Sequence, residues 1–272
     1  MGEMKKTGVR SFAVVTGASS GIGLELARQF VTHDFDVLIV AEDPGIQQAA
    51  QQLGGHGGQV IPVQIDLATQ GGVEQLYAQI QATGRPVDAV ALNAGVGVGG
   101  DFLRQTSWAE ELKLIQLNVI STTLLAKLIG RDMLARNAGR MLLTGSIVSA
   151  TAAPFQAVYG ASKAYVLSLG EAIRNEIKDS NVTITVLQPG ATDTSFFQRA
   201  HMMDTAVGVS DKKDDPADVA RDGFEALMAG RDTVVAGSLM NKAIDVANRV
   251  LPETTKAEIQ RKMSEPGSAN KA

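Results

Sequence analysis

Three side chains within eighteen positions, Ser146, Tyr159 and Lys163, are of types that can hold and move a proton. Tyr159 and Lys163 stand four apart in a segment of helical periodicity, so both emerge on one face. A free tyrosine has a pKa of about 10, and bringing it near neutrality takes about 3 units, or roughly 4 kcal/mol. One ammonium about 4 Å away supplies about that much at an effective dielectric near 20. The pair therefore reads as a general acid/base with its own electrostatic support. Ser146 lies just beyond a short apolar run, where its hydroxyl can donate to a carbonyl oxygen and stabilise developing charge.

A second cluster carries no reactive group but implies a ligand. The run SFAVVT leads into Gly17-Ala-Ser-Ser-Gly21-Ile-Gly23 and then into an amphipathic helix. Glycines there allow a tight turn and let the backbone approach a pyrophosphate at the positive helix end. The spacing is GxxxGxG, not the commoner GxGxxG of dinucleotide sites. Nineteen residues past Gly23, Glu42 can accept hydrogen bonds from the ribose hydroxyls of an adenosine and would repel a ribose phosphate. No Arg or Lys occupies Ser20, Ala41 or Asp43. NAD is therefore expected over NADP, with NADP left open. Asp66 is a candidate partner for the adenine amine, or else a cap for the helix that follows.

These residues need a scaffold that brings them to one edge. Short apolar runs at Ser11–Thr16, Asp36–Val40, Val60–Gln64, Ala89–Leu92, Met141–Thr144, Thr183–Leu187 and Thr233–Val235 read as strands buried on both faces. Helical patterns fill the gaps at Ile22–Val31, Gly45–Leu53, Gly72–Ala82, Trp108–Arg136, Tyr159–Lys178 and Pro216–Met228. The alternation predicts an α/β fold: a doubly wound, about seven-stranded parallel sheet with helices on both faces and ligands at the carboxyl ends of the strands. One domain over residues 1–252 is expected, with a flap at Asp193–Asp215 where the rhythm breaks. Residues 253–272 read as a charged tail, one short helix and then a frayed end.

Composition closes several other routes. The 272 residues include no cysteine, so disulfides, thiolate metal sites and cysteine nucleophiles are excluded. The three histidines are scattered, and no metal is expected. A net charge of −4 gives no reason to expect a nucleic acid. The uncharged stretch Met141–Ser162 contains Gly145, Pro154 and Gln156, and is read as protein interior, not a membrane span. The polar, basic opening has no apolar signal segment behind it, so a cytoplasmic location is expected.

In order and spacing, the chain resembles the short-chain dehydrogenase/reductase family over about Ser11 to Gly237. The marks are TGASSGIG at 16–23, Asp66, NAG at 93–95, Asn118, Ser146, Tyr159 with Lys163, and Pro189-Gly190 followed by Thr194. Two departures are small: Thr144-Gly145-Ser146 replaces a serine-rich run, and Leu92 replaces an Asn before NAG. The resemblance implies a single Rossmann domain and hydride transfer between a nicotinamide cofactor and an alcohol or carbonyl carbon. It implies that Tyr159 exchanges the proton, Ser146 polarises the oxygen, and Lys163 holds the ribose and lowers the tyrosine pKa. Asn118 would kink its helix and hold a relay water. A cofactor shell follows from Gly17, Ser19, Ser20, Gly21, Ile22 and Gly23, from Glu42, Asp66 and Leu67, from Asn93, Ala94 and Gly95, and from Pro189, Gly190, Thr192 and Thr194. The family pattern also implies a homodimer or homotetramer through the two long helices. Two alternatives remain: an NADP-dependent 3-ketoacyl-carrier reductase, with Arg131, Arg136 and Arg140 as docking cations, and an inactive dinucleotide-binding sensor or scaffold. The substrate is expected to be a small molecule, fairly apolar if Phe155, Phe196, Phe197, Met202 and Met203 line its pocket.

Overall fold

The computed structural model describes residues 10–238, 241 and 251–271. The basic opening segment and the stretch just before the expected boundary at 252 fall outside those residues. Seven parallel strands form one sheet in the order β3-β2-β1-β4-β5-β6-β7. They are β1 Ser11–Thr16, β2 Phe35–Ala41, β3 Val60–Gln64, β4 Ala89–Leu92, β5 Gly139–Thr144, β6 Val182–Gln188 and β7 Thr233–Val235. The sequence order reverses between β1 and β4, and in such sheets the ligand crevice opens at that point.

Each central strand is apolar on both faces because helices cover both. One layer packs Leu26, Phe30 and Phe224 against Val15, Val37 and Ile39; the other packs Leu76, Leu125 and Ile129 against Val14, Leu38 and Val90. The covering helices are α1 Gly21–Thr32, α2 Gly45–Leu53, α3 Gln70–Ala82, α4 Trp108–Ile115, α5 Thr122–Arg136, α6 Ala157–Glu176 and α9 Pro216–Met228. The flap contributes two short ones, α7 Phe196–Arg199 and α8 Ala206–Val209. The segment Met141–Ser162, weighed above as a span, is β5, a turn and the start of α6.

Two expectations change. The stretch Trp108–Arg136 is not one regular α-helix: a π-helical segment, Gln116–Ser121, separates α4 from α5. By length and apolar composition this stretch could cross a membrane, and 39% of its most apolar window is buried. Its buried residues, Leu114, Leu125, Ile129 and Met133, face the protein core. The short helix expected after Pro252 is present, and the end expected to fray beyond it is instead folded. Helix α10, Glu253–Ser264, buries Lys256 and Ser264, and the following turn returns to the flap. The Ser268 hydroxyl accepts from Ala206 N–H at 2.8 Å, and Ala269 N–H donates to the Asp204 carbonyl at 3.0 Å.

Candidate active site

Strand β5 ends at Thr144, and two residues later Ser146 caps a short 3₁₀ turn, Ile147–Ala150, together with Ser149. That turn leads to α6, whose first turns carry Tyr159 and Lys163. The Ser146 hydroxyl, which accepts from Val148 N–H at 3.3 Å, lies near enough to the Tyr159 phenol to act on its pKa. The Lys163 ammonium stands 5.7 Å from the Tyr159 ring centre and donates to the Thr144 carbonyl at 2.9 Å. The three groups expected to converge therefore do so, at the carboxyl edge of β5.

The electrostatics differ from the expectation. Tyr159 is half-buried as a whole residue, but burial of its phenol pushes the pKa up to about 12, with the Ser146 hydroxyl opposing. Phe196 from the flap covers the ring, centroid to centroid at 5.2 Å. Burial brings Lys163 down to about 8. The ammonium is thus itself penalised by desolvation and spends its hydrogen bond on a carbonyl. In this state it does not bring the phenol towards neutrality.

Asn118 sits inside the π-helical segment, almost fully buried. Its Oδ1 accepts from Val96 N–H at 3.0 Å, and its Nδ2 donates to the Val96 carbonyl at 2.9 Å and to Ser162 Oγ at 3.1 Å. Its amide therefore ties the helix to the loop after β4 and to α6. The π-helical interruption stands at the position where a kink was expected. Gly95 fits between these groups: a Cβ on it would lie 3.2 Å from Asn118 Oδ1 and 3.4 Å from Lys163 Nζ.

The glycine loop forms a cradle with no room for side chains. Gly17 has φ +67°, and a Cβ there would lie 2.8 Å from Ala94 Cα; a Cβ on Gly23 would strike the Gly17 carbonyl oxygen. Ser20, the N-cap of α1, makes no side-chain capping bond, and no acidic residue occupies the first turn. The helix end thus keeps the unpaired N–H groups and positive potential that suit an anion. The cradle fits a dinucleotide pyrophosphate. Ser19 and Ile22 are half-buried beside it, and Thr194 of the flap packs against Gly21.

The loop is held by Thr16, the first residue of the TGASSGIG run, to which the sequence assigned no role of its own. Thr16 Oγ1 accepts from both Asn93 N–H and Ala94 N–H at 2.9 Å. Asn93 Nδ2 returns a bond to the Thr16 carbonyl at 3.1 Å, and Thr144 Oγ1 donates to Asn93 Oδ1 at 3.3 Å. Asn93 thus ties together the ends of β1, β4 and β5. Asp66 follows the end of β3 with Oδ1 taken by Ala68 N–H at 2.8 Å; Thr69, not Asp66, caps α3. Leu67 is buried beside it. Thr192 Oγ1 donates to the Gly190 carbonyl at 3.0 Å, and the Pro189 carbonyl accepts from Ile147 N–H. Glu42, just past β2, lies half-exposed in an ion pair with Lys113 of α4 at 3.0 Å. The positions beside Glu42 hold no cation, but the fold brings one from 71 residues away, beyond any local signal.

Of the five apolar candidates for a pocket wall, Phe197 and Met202 are buried with Ala200 in a small core of the flap itself. Phe196 faces Tyr159, and Met203 is half-exposed. A cavity of about 270 Å³ opens between the loop after β4, the flap and the C-terminal turn, lined by Gly99, Gln105, Glu110, His201, Asp204 and Pro266 among others. His201 pairs with Glu110 at 3.1 Å there. Trp108, at the start of α4, is 67% exposed. Among the described residues, no cluster of His, Asp and Glu could hold a metal ion.

Comparison with known proteins agrees with this arrangement. Residues 11–204 match the family model described as short chain dehydrogenase. A short chain dehydrogenase of Pseudocercospora fijiensis is 26% identical over 199 residues, 71% of this chain and 63% of the relative. The ketoacyl reductase HetN of a Nostoc species is 29% identical over 178 residues, 65% of this chain and 62% of the relative. The chain thus spans less than two thirds of either relative. In fold, it is similar to a short chain dehydrogenase/reductase from Burkholderia phymatum in complex with NAD: TM-score 0.80, 24% identity, covering 94% of this chain and 97% of that one.

Proposed function

Because the chain belongs to the short-chain dehydrogenase/reductase family of oxidoreductases, we propose that it moves a hydride between NAD and an alcohol or carbonyl carbon of a small molecule. The observation that carries this reading is the convergence of Ser146, Tyr159 and Lys163 beside the glycine cradle. When bound, the nicotinamide supplies or accepts the hydride. Gly17, Gly21 and Gly23 hold the pyrophosphate at the end of α1, and Glu42 takes the adenosine ribose hydroxyls. Asp66, Leu67 and the Asn93–Gly95 turn wall the adenosine, while Thr192 and Thr194 close on the nicotinamide side. Ser146 donates to the substrate oxygen and orients it. Tyr159 passes the proton to that oxygen in reduction and takes it back in oxidation. Lys163 holds the nicotinamide ribose, and leaving the Thr144 carbonyl for that ribose is part of assembling the site.

A second reading, a reductase of carrier-linked 3-ketoacyl groups using NADP, is favoured by the likeness to HetN and to a structure described as a betaketoacyl-ACP reductase. Glu42 argues against its cofactor. Self-association through α4–α5 and α6 belongs to the same proposal, supported by exposed Leu112, Ile120, Leu134 and Tyr165 on those helices. Sedimentation velocity tests it, and a monomer at micromolar concentration overturns it.

The deciding experiment uses Tyr159→Phe in a cofactor-coupled assay over ketones, alcohols and 3-ketoacyl esters. Turnover should fall by about 10²–10⁴-fold, the usual share of a general acid/base, with NADH affinity unchanged. Turnover equal to that of the unaltered chain would remove the proposed proton donor.

A further inference from the structure

Glu42 and Lys113 are joined across the mouth of the crevice. Glu42 follows β2, Lys113 lies on the helix after β4, and β1 stands between those two strands in the sheet. The ion pair therefore crosses the carboxyl end of β1, where the glycine loop begins. Its Nζ lies 3.0 and 3.3 Å from the two carboxylate oxygens. Both side chains are about half exposed, 47% and 48%, so the pair is weak in water and readily exchanged for another partner.

We propose that Lys113 is a second determinant of dinucleotide choice, acting against Glu42; this rests on the dinucleotide reading above. Towards an unphosphorylated adenosine ribose, Lys113 stays on Glu42 and straps the adenosine end. Towards a ribose phosphate, Glu42 alone would be repulsive. Lys113 leaves the carboxylate for the phosphate oxygens and supplies the cation that the neighbours of Glu42 lack. The chain then tolerates the phosphorylated dinucleotide better than Glu42 by itself allows. Removing Lys113 should have two effects of one sign: loss of a phosphate partner, and exposure of an unneutralised carboxylate to the phosphate.

The test is titration calorimetry with 5′-AMP and adenosine 2′,5′-bisphosphate, then NADH and NADPH, on the full chain, Lys113→Met and Lys113→Arg. Methionine keeps the stem, and the half-exposed position makes misfolding no obstacle. In Lys113→Met, the 2′-phosphorylated ligands should weaken by about tenfold, the scale of one lost charge-assisted contact, and the others by less than about threefold. Arginine should restore the difference. The affinity of NADPH should also fall with added salt more steeply in the unaltered chain than in Lys113→Met. An unchanged ratio of phosphorylated to unphosphorylated affinities in Lys113→Met would overturn the assignment while leaving the dinucleotide site standing. Failure of the unaltered chain to bind any of the four ligands would instead bring down the site itself, and Lys113 with it.

Discussion

The Lys163 ammonium is held 2.9 Å from the Thr144 carbonyl, at the end of the strand that delivers Ser146. Burial lowers its pKa from 10.5 to about 8. The folded chain therefore binds that proton less tightly than the unfolded chain does. Its penalty is complete below pH 8, fades as pH rises, and is gone above 10.5. The shift corresponds to roughly 3 kcal/mol, offset by about 1 kcal/mol from the carbonyl hydrogen bond. Lys163→Met should therefore melt several degrees higher than the cofactor-free parent at pH 7, and the gain should shrink towards pH 10. A variant that melts lower at pH 7 would mean that the charge is better solvated than its surroundings suggest.

Tyr159 titrates in the opposite sense. Its folded pKa of about 12 exceeds the ordinary 10, so the neutral phenol favours folding, and that contribution is lost as pH rises from 10 to 12. Phe196 packs on the ring at 5.2 Å. Phe196→Ala should admit water and move the transition towards 10. Ultraviolet titration, with Tyr159→Phe subtracted to remove Tyr77 and Tyr165, reads it directly. A transition left near 12 would place the desolvation elsewhere than in the flap.

Thr16 supports the cradle through two main-chain N–H groups and is itself 1% exposed. Thr16→Val keeps the shape but leaves both donors unpaired. At about 1–3 kcal/mol for each unpaired group, a loss of roughly 2–6 kcal/mol is expected in urea unfolding, together with weaker NADH binding. Asn93→Ala should act in the same direction by removing the bond to the Thr16 carbonyl. Stability within 0.5 kcal/mol of the parent in Thr16→Val would show that water replaces the hydroxyl.

All seven strands were legible because each is a short apolar run closed by glycine or polar turns, and β1, β3, β4 and β7 have the bounds expected from sequence. Ser146, Tyr159 and Lys163 were legible for a related reason: one strand end and one helix turn fix their relative positions. The π-helical segment at Gln116–Ser121 was not legible, since its residues, QLNVIS, include no glycine or proline and read as a continuation of the helices on either side. The Glu42–Lys113 pair depends on two elements meeting in space, which no local pattern records. The raised tyrosine pKa was missed because spacing says that an ammonium is near but not how much water both groups lose. The end beyond the short helix read as frayed because it docks through hydrogen bonds, not through an apolar stripe.

That docking carries the last prediction. Gln156 Nε2 donates to Ser264 Oγ at 3.0 Å, and the Arg261 guanidinium lies 5.0 Å from the Phe155 ring centre. Phe155 is in the left-handed region, φ +60°, a conformation costly for a bulky residue unless its surroundings hold it. Its carbonyl accepts from Gly100 N–H at 2.9 Å. The same segment reaches the flap, where Asp204 Oδ2 accepts from Gly267 N–H at 3.0 Å. One stretch of chain thus fixes both the loop ahead of Tyr159 and the flap above it. Removing residues 253–272 should raise amide exchange around 155–157 and 201–209 by at least about tenfold, while the protection of β1, β4 and β5 is kept. The flap's own core of Phe197, Ala200 and Met202 is too small to replace those anchors. Michaelis constants should rise more than turnover falls, because Ser146, Tyr159 and Lys163 are held by β5 and α6 and not by the tail. Equal exchange in both chains would show that the flap holds its position without that stretch, and loss of sheet protection would show that the stretch belongs to the folding core instead.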